Sequence, residues 1–261
     1  MSSDTIAAAE QSIAITDPGE RNRENHVWGD RLMIGIGNVF AWLFPLLMLA
    51  IVTQVIIRKF GFNQAWLDDA QWWMYGLAML IGFGYAITTE SHVRVDILHQ
   101  NFPPAKKSKI EIFGLGWLLI PFLILMADIL MHYAIASWRA GEGSDSANGL
   151  HMLYLLKAAL PLGFLAAIIA SIAALHRHLA SITTPVLWKY LLAALPAAWF
   201  ALERLSYYAL WWFTRLSQPD LNARAVGRQP VMDYTMYMGF GLMVALIIIS
   251  FLRSRNAARG A

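Results

Sequence analysis

The chain has 261 residues, 58% of them hydrophobic and only 14% charged, with 11 Trp and 13 Phe and a mean hydropathy of +0.49. Soluble domains carry roughly 25% charged residues, so part of this surface must face lipid rather than water. With no cysteine, disulfides, Fe–S clusters, thiolate zinc sites and cysteine nucleophiles are excluded. The 20 basic residues are scattered over short connections and do not form the basic patch of a nucleic-acid binder.

Residues 1–30 are polar with mixed charge. They lack a basic start followed closely by a short apolar run, so they read as a disordered cytoplasmic arm and not as a cleaved signal peptide. Six stretches then approach the roughly 20 apolar residues that a helix needs to cross a bilayer. Leu32 to Ile57 is bracketed by Arg31 and by Arg58 and Lys59. Ala70 to Thr88 follows Asp68 and Asp69, which suit the positive end of a helix dipole, and opens with Trp72 and Trp73 as interface anchors. Ile112 to Tyr133 contains Asp128 and His132, and Leu153 to Leu175 contains Lys157, whose long stem can snorkel to the interface. Leu187 to Phe213 holds Lys189, Pro196, Glu203 and Arg204, so it is expected to tilt or kink, and Tyr234 to Leu252 is a clean last span.

If all six segments cross, 12 Lys and Arg fall on one side and 6 on the other, with Lys157 and Arg204 inside spans. Positive charge stays inside, which places both termini in the cytoplasm. The fold class expected is an all-α integral membrane protein. Four core transmembrane helices occupy residues 31–178, and a C-terminal extension, residues 179–261, adds two more.

The densest polar constellation lies between the second and third spans. It runs Thr89, Glu90, Ser91, His92, Val93, Arg94, Val95, Asp96, Ile97, Leu98, and continues through Asn101 and Phe102 to Pro103, Pro104 and Lys106, Lys107 and Lys109. In a helix, Glu90 with Arg94 and His92 with Asp96 are i,i+4 partners, and Val95, Leu98 and Phe102 share an apolar face that could lie in the membrane surface until Pro103 stops it. A solvated loop with incidental pairs has the same composition.

The run from His92 to Leu98 followed by paired prolines resembles the signature of the small membrane subunit of tripartite ATP-independent periplasmic (TRAP) transporters, the DctQ-like family. Downstream, Ser137, the Gly/Ser-rich connection through Gly141, Gly143, Ser144 and Ser146, then Leu156, Lys157, Pro161, Leu162 and Gly163, are similar to a later pattern of that family. The likeness covers residues 32–178. Where the family usually has a Pro–aromatic element, this chain reads Gly149, Leu150, His151, Met152, and the extension has no counterpart in the four-span family core.

The resemblance implies a subunit of the bacterial inner membrane with no catalytic role and no cofactor. Its implied partners are the large membrane subunit, the surrounding lipids and, indirectly, a periplasmic solute-binding protein. The large subunit would carry a solute, often an organic acid, inward on a sodium gradient while the small subunit supports it. On this reading Glu90, His92, Arg94, Asp96, Pro103, Lys157, Pro161 and Gly163 form the structural or partner interface, and Trp72 and Trp73 set depth.

Other residues invite different readings. Asp128 and His132, one turn apart, are ionisable groups inside a span and so candidates for an ion or proton site, although a hydrogen bond within the bundle explains them as well. His132 and His151 are the one plausible pair for a haem-bearing respiratory anchor. A stand-alone carrier would need polar groups converging at midplane, where the chain offers mainly Asn38, Gln54 and the off-centre Asp128. Adjacent Glu203 and Arg204 point about 100° apart on a helix and are not expected to pair. Gly35, Gly37, Gly76, Gly82, Gly84, Gly239 and Gly241 permit close helix approach. No phosphate loop, His-Glu-x-x-His or nucleophile elbow is present.

Overall fold

A computed structural model describes Gly19 and residues 23–91 and 101–259, and the regular structure among them is helical with no strand. The α-helices of seven or more residues among them are α1 (Trp28–Ala41), α2 (Leu43–Lys59), α3 (Ala65–Thr89), α4 (Pro104–Phe113), α5 (Ile120–Ala140), α6 (Leu153–Ile182), α7 (Leu187–Ala193), α8 (Leu195–Ser217) and α9 (Thr235–Arg259). A wide π-helical turn, Gly114–Leu119, joins α4 to α5. Among the described residues, four stretches are long and apolar enough to cross a membrane: Trp28–Lys59, Pro104–Ala140, Leu153–Ile182 and Pro230–Ala257. The fold is an all-α membrane bundle.

The other two expected spans take a different form. Residues 70–88 lie within α3, a single helix of 25 residues, but Asp68, Asp69, Gln71 and its tyrosines leave it less apolar than those four. Residues 187–213 are two helices, broken at Ala194. The break has a cause in sequence, because Pro196 cannot donate to the carbonyl four residues back. Pro45 similarly cannot bond to Ala41, where α1 ends and α2 takes over after Trp42.

The chain divides into two compact units, Met1–Leu98 with Leu125–Arg177, and His99–Ile124 with His178–Ala261. In the first, α1 and α2 both pack on α3. The buried small residues Ala167, Ala170, Ser171, Ala173 and Ala174 give α6 a face that neighbouring helices can approach closely. On α1, Gly29 faces Ile169 and Ala173 of this stripe, where an added Cβ would lie 3.1 and 3.2 Å from them. In the second unit, α9 packs along α8 and α7, and the π-helical turn meets α8. Gly116 of that turn lies against the backbone of Ala193 and Ala194, where the helix is broken.

Candidate functional site

Charge is costly to bury, so buried ionic groups mark where a membrane chain invests in fixed geometry. The end of α3 is such a place in the first unit, while the start of that helix carries a polar cluster whose charged pair is largely exposed. At the end of α3, Asp30 is fully buried and receives the Arg177 guanidinium of α6. The other Asp30 oxygen accepts the backbone N–H of Val27 at 3.0 Å, which caps the start of α1. Arg177 also donates to the Thr88 carbonyl at 3.0 Å and to Glu90 at 3.3 Å. One guanidinium therefore ties α1, α3 and α6 together.

Its partner Glu90 ends α3 in the left-handed conformation, φ 52°. The N–H of Ser91 bonds to the Ala86 carbonyl at 3.2 Å and that of Glu90 to Ile87 at 3.4 Å. This is a Schellman closure, in which glycine is the usual residue at the left-handed position.

At the start of α3, Gln54 is buried and donates to Asp68 at 2.7 Å, while Gln71 donates to Gln54 at 3.2 Å. Arg58 holds both Asp68 oxygens at 3.0 and 2.9 Å, so α2 and α3 are joined by a polar cluster. Asp69 accepts the Leu150 N–H at 2.9 Å, which fastens the α5–α6 loop. That loop opens with Gly141, φ 61°, and is held by Glu142, whose carboxylate accepts from Ser137 and from Lys157, each at 2.6 Å. Lys157 also lies 4.4 Å from the Tyr133 ring centre. The hydrogen bond from Lys157, then that from Ser137, holds the Glu142 carboxyl below the ordinary carboxylate range against a smaller opposing effect of burial.

In the second unit Glu203 and Arg204 do pair, contrary to the expectation from their angular separation. The guanidinium bends back along its own helix to make two bonds of 2.6 and 2.7 Å, since a long side chain can span one residue's rotation. Thr235 of α9 donates to the same carboxylate at 3.0 Å.

The family model for tripartite ATP-independent periplasmic transporters, DctQ component, matches residues 47–181. The chain belongs to this family. It is a DctQ component, a small permease subunit in transmembrane transport and a multi-pass membrane protein. Neither a curated protein nor a solved structure matches it.

The residues expected to form the DctQ interface are distributed as follows. His92, Arg94 and Asp96 lie outside the described residues. Glu90 is the closing residue of α3 and forms an ion pair with Arg177. Pro103 lies at the entry to α4. It caps the start of α4, with Pro104 in the first turn, where a missing N–H costs nothing. Lys157 is 13% exposed and paired with Glu142, so it is a loop fastener and not merely a depth marker. Pro161 is buried inside α6, and Gly163 packs against Leu80 of α3. Trp72 is exposed, 6.4 Å edge-on from Tyr75, and Trp73 is half-buried. Asp128 is half-buried and His132 exposed, one turn apart on α5.

Asp30, Asp68, Glu142 and Arg177 are the residues that sequence reasoning did not single out as partners. Asp30 carries a local signal, a carboxylate three residues after the helix cap. The pairing of Asp30 with Arg177 spans 147 positions and leaves no trace in local spacing.

Proposed function

We propose that this DctQ component is a non-catalytic scaffold subunit of the bacterial inner membrane, with both termini in the cytoplasm. It supports the large membrane subunit of a TRAP transporter in sodium-coupled, ATP-independent uptake of a solute of the organic-acid class, delivered by a periplasmic solute-binding protein. Beyond the family match, the supporting observation is a contrast within the first unit. Ionic ties brace α3 at both ends, yet only 6% of the most apolar window of Trp28–Lys59 is buried. Met48, Leu49, Val52, Val55 and Ile56 of α2 are all exposed. A braced unit with an uncovered apolar helix suits a body that stays still and packs against a larger neighbour.

The test is purification of the tagged full chain from its native membrane in gentle detergent, with co-purifying chains identified by mass spectrometry. A stoichiometric, larger polytopic partner, and sodium-dependent uptake only when both are reconstituted, are the expected results. Recovery alone with uptake by this chain, or recovery with a flavin or Fe–S subunit, overturns the reading. Orientation is testable separately, because the chain has no native cysteine. Single cysteines at Ser146 and Asn222 should both react with an impermeant reagent from outside.

A further inference from the structure

We propose that one end of the second unit, where α4 and α7 begin and α9 ends, binds the headgroups of anionic phospholipids. Two hydrogen bonds assemble this end. Ser108 of α4 and Ser181 at the end of α6 are 3.0 Å apart. The Trp188 N–H at the start of α7 donates to Ser250 of α9 at 3.1 Å, and the Trp188 ring meets Phe251 edge-on at 5.6 Å. Ser181 and Trp188 are joined by a short connection, so the four segments share one rim.

The rim carries Lys106, Lys107, Lys109, Lys189, Arg253 and Arg255. Among the described residues no carboxylate pairs with any of the six. This differs from the cations discussed above, since Arg58, Lys157, Arg177 and Arg204 each hold a carboxylate. Glu111 on α4 is the acidic residue nearest in sequence to the three lysines.

Two of the cations are held in place. Lys106 lies 3.6 Å above the Phe102 ring. The Lys189 ammonium donates to the Thr183 hydroxyl and, at 3.0 and 3.1 Å, to the Thr184 carbonyl and hydroxyl. The hydroxyl protons of Thr183 and Thr184 can donate to a phosphate oxygen beside that ammonium.

What identifies the occupant as a lipid is the surface that adjoins the rim. Ile110, Phe113, Leu187, Ile249 and Leu252 are exposed apolar residues on the same segments. A soluble polyanion would engage the cations alone, whereas a phospholipid sets its phosphate at the rim and its acyl chains along the apolar body. The inference does not depend on the transporter reading.

The full chain is reconstituted in phosphatidylcholine bilayers containing spin-labelled phosphatidylglycerol or spin-labelled phosphatidylcholine, and the protein-associated fraction of each is measured. The wild type should favour phosphatidylglycerol by at least about fivefold, the factor one Lys or Arg contributes near an anionic surface, and high salt should reduce the preference. Lys106→Gln/Lys107→Gln/Lys109→Gln and Lys189→Gln/Arg253→Gln/Arg255→Gln should each bring the ratio toward one. The matching all-Arg and all-Lys versions should retain it, which separates lost charge from misfolding. Arg224→Gln/Arg228→Gln should leave it unchanged. A wild-type ratio near one, a ratio that survives both Gln sets, or an equal loss in the Arg224 and Arg228 variant overturns the proposal.

Discussion

Glu90 stands in the left-handed position that closes α3, and its carboxylate reaches Arg177 at the end of α6 at 3.3 Å. Glycine would take that backbone conformation without strain. A carboxylate there accepts the conformational cost in order to meet a guanidinium already bonded to Asp30 and to the Thr88 carbonyl.

Substitutions at Glu90 separate the two effects. Glu90→Ala keeps the left-handed strain and removes the ion pair, and should destabilise the chain by about 1 kcal/mol. Glu90→Gly removes both, and its thermal unfolding midpoint in detergent should match the wild type closely, since an ion pair this exposed contributes about 0–1 kcal/mol. A Glu90→Gly variant no more stable than Glu90→Ala would mean that the left-handed backbone at this position carries no strain.

Arg177 faces a carboxylate with no exposed surface. Arg177→Met strands that charge, and breaking a buried pair from one side costs roughly 3–5 kcal/mol. Asp30→Asn in the Arg177→Met background should recover part of the loss, because the amide oxygen still accepts the Val27 N–H. Unfolding of the four species of this cycle measures the coupling. Additive single effects would mean that the two side chains do not act as a pair.

These contacts show which levels of the structure are legible in sequence. Apolar runs place α2, α5, α6 and α9 because the bilayer imposes a length and a composition on each, and a weaker run marks residues 70–88 of α3. The break at Ala194 follows from Pro196, and the membrane-subunit family follows from ordered motifs on both sides of α5. The ionic ties are a different matter. Glu90 is conspicuous in sequence for its place in the polar run, but its contact with Arg177 spans 87 positions, and the packing of α3 on α6 is what brings the two together. Local geometry also misjudged Glu203 and Arg204, because backbone rotation says little about where a flexible guanidinium ends.

Glu142 gives the α5–α6 loop a pH response. Its carboxyl is held below the ordinary value of 4.5 chiefly by Lys157 and Ser137, so the charged form is favoured in the folded loop. A carboxylate depressed on folding contributes its stability above the unfolded value and loses it as the pH falls through the lower folded value. The stability difference between wild type and Glu142→Gln should therefore be full at neutral pH and close as the pH drops below 4.5. Thermal unfolding of both proteins across that range is the measurement, and a difference independent of pH would remove Glu142 from the role.

At Gly239 the backbone of α8 lies directly against α9. A Cβ on Gly239 would lie 2.6 Å from the Glu203 backbone nitrogen and 2.7 Å from its Cα, atoms that cannot swing aside as a side-chain tip can. Gly239→Ala should destabilise the chain by about 1–3 kcal/mol through overpacking, and it should also disturb the Thr235–Glu203 bond one turn away. Gly241, on the same helix, has nothing within 4 Å of its added Cβ. Gly241→Ala should be neutral or stabilising by up to about 1 kcal/mol, the helix-propensity difference between the two residues. Unfolding midpoints that rank the two variants in the opposite order would mean that α8 and α9 do not meet through Gly239.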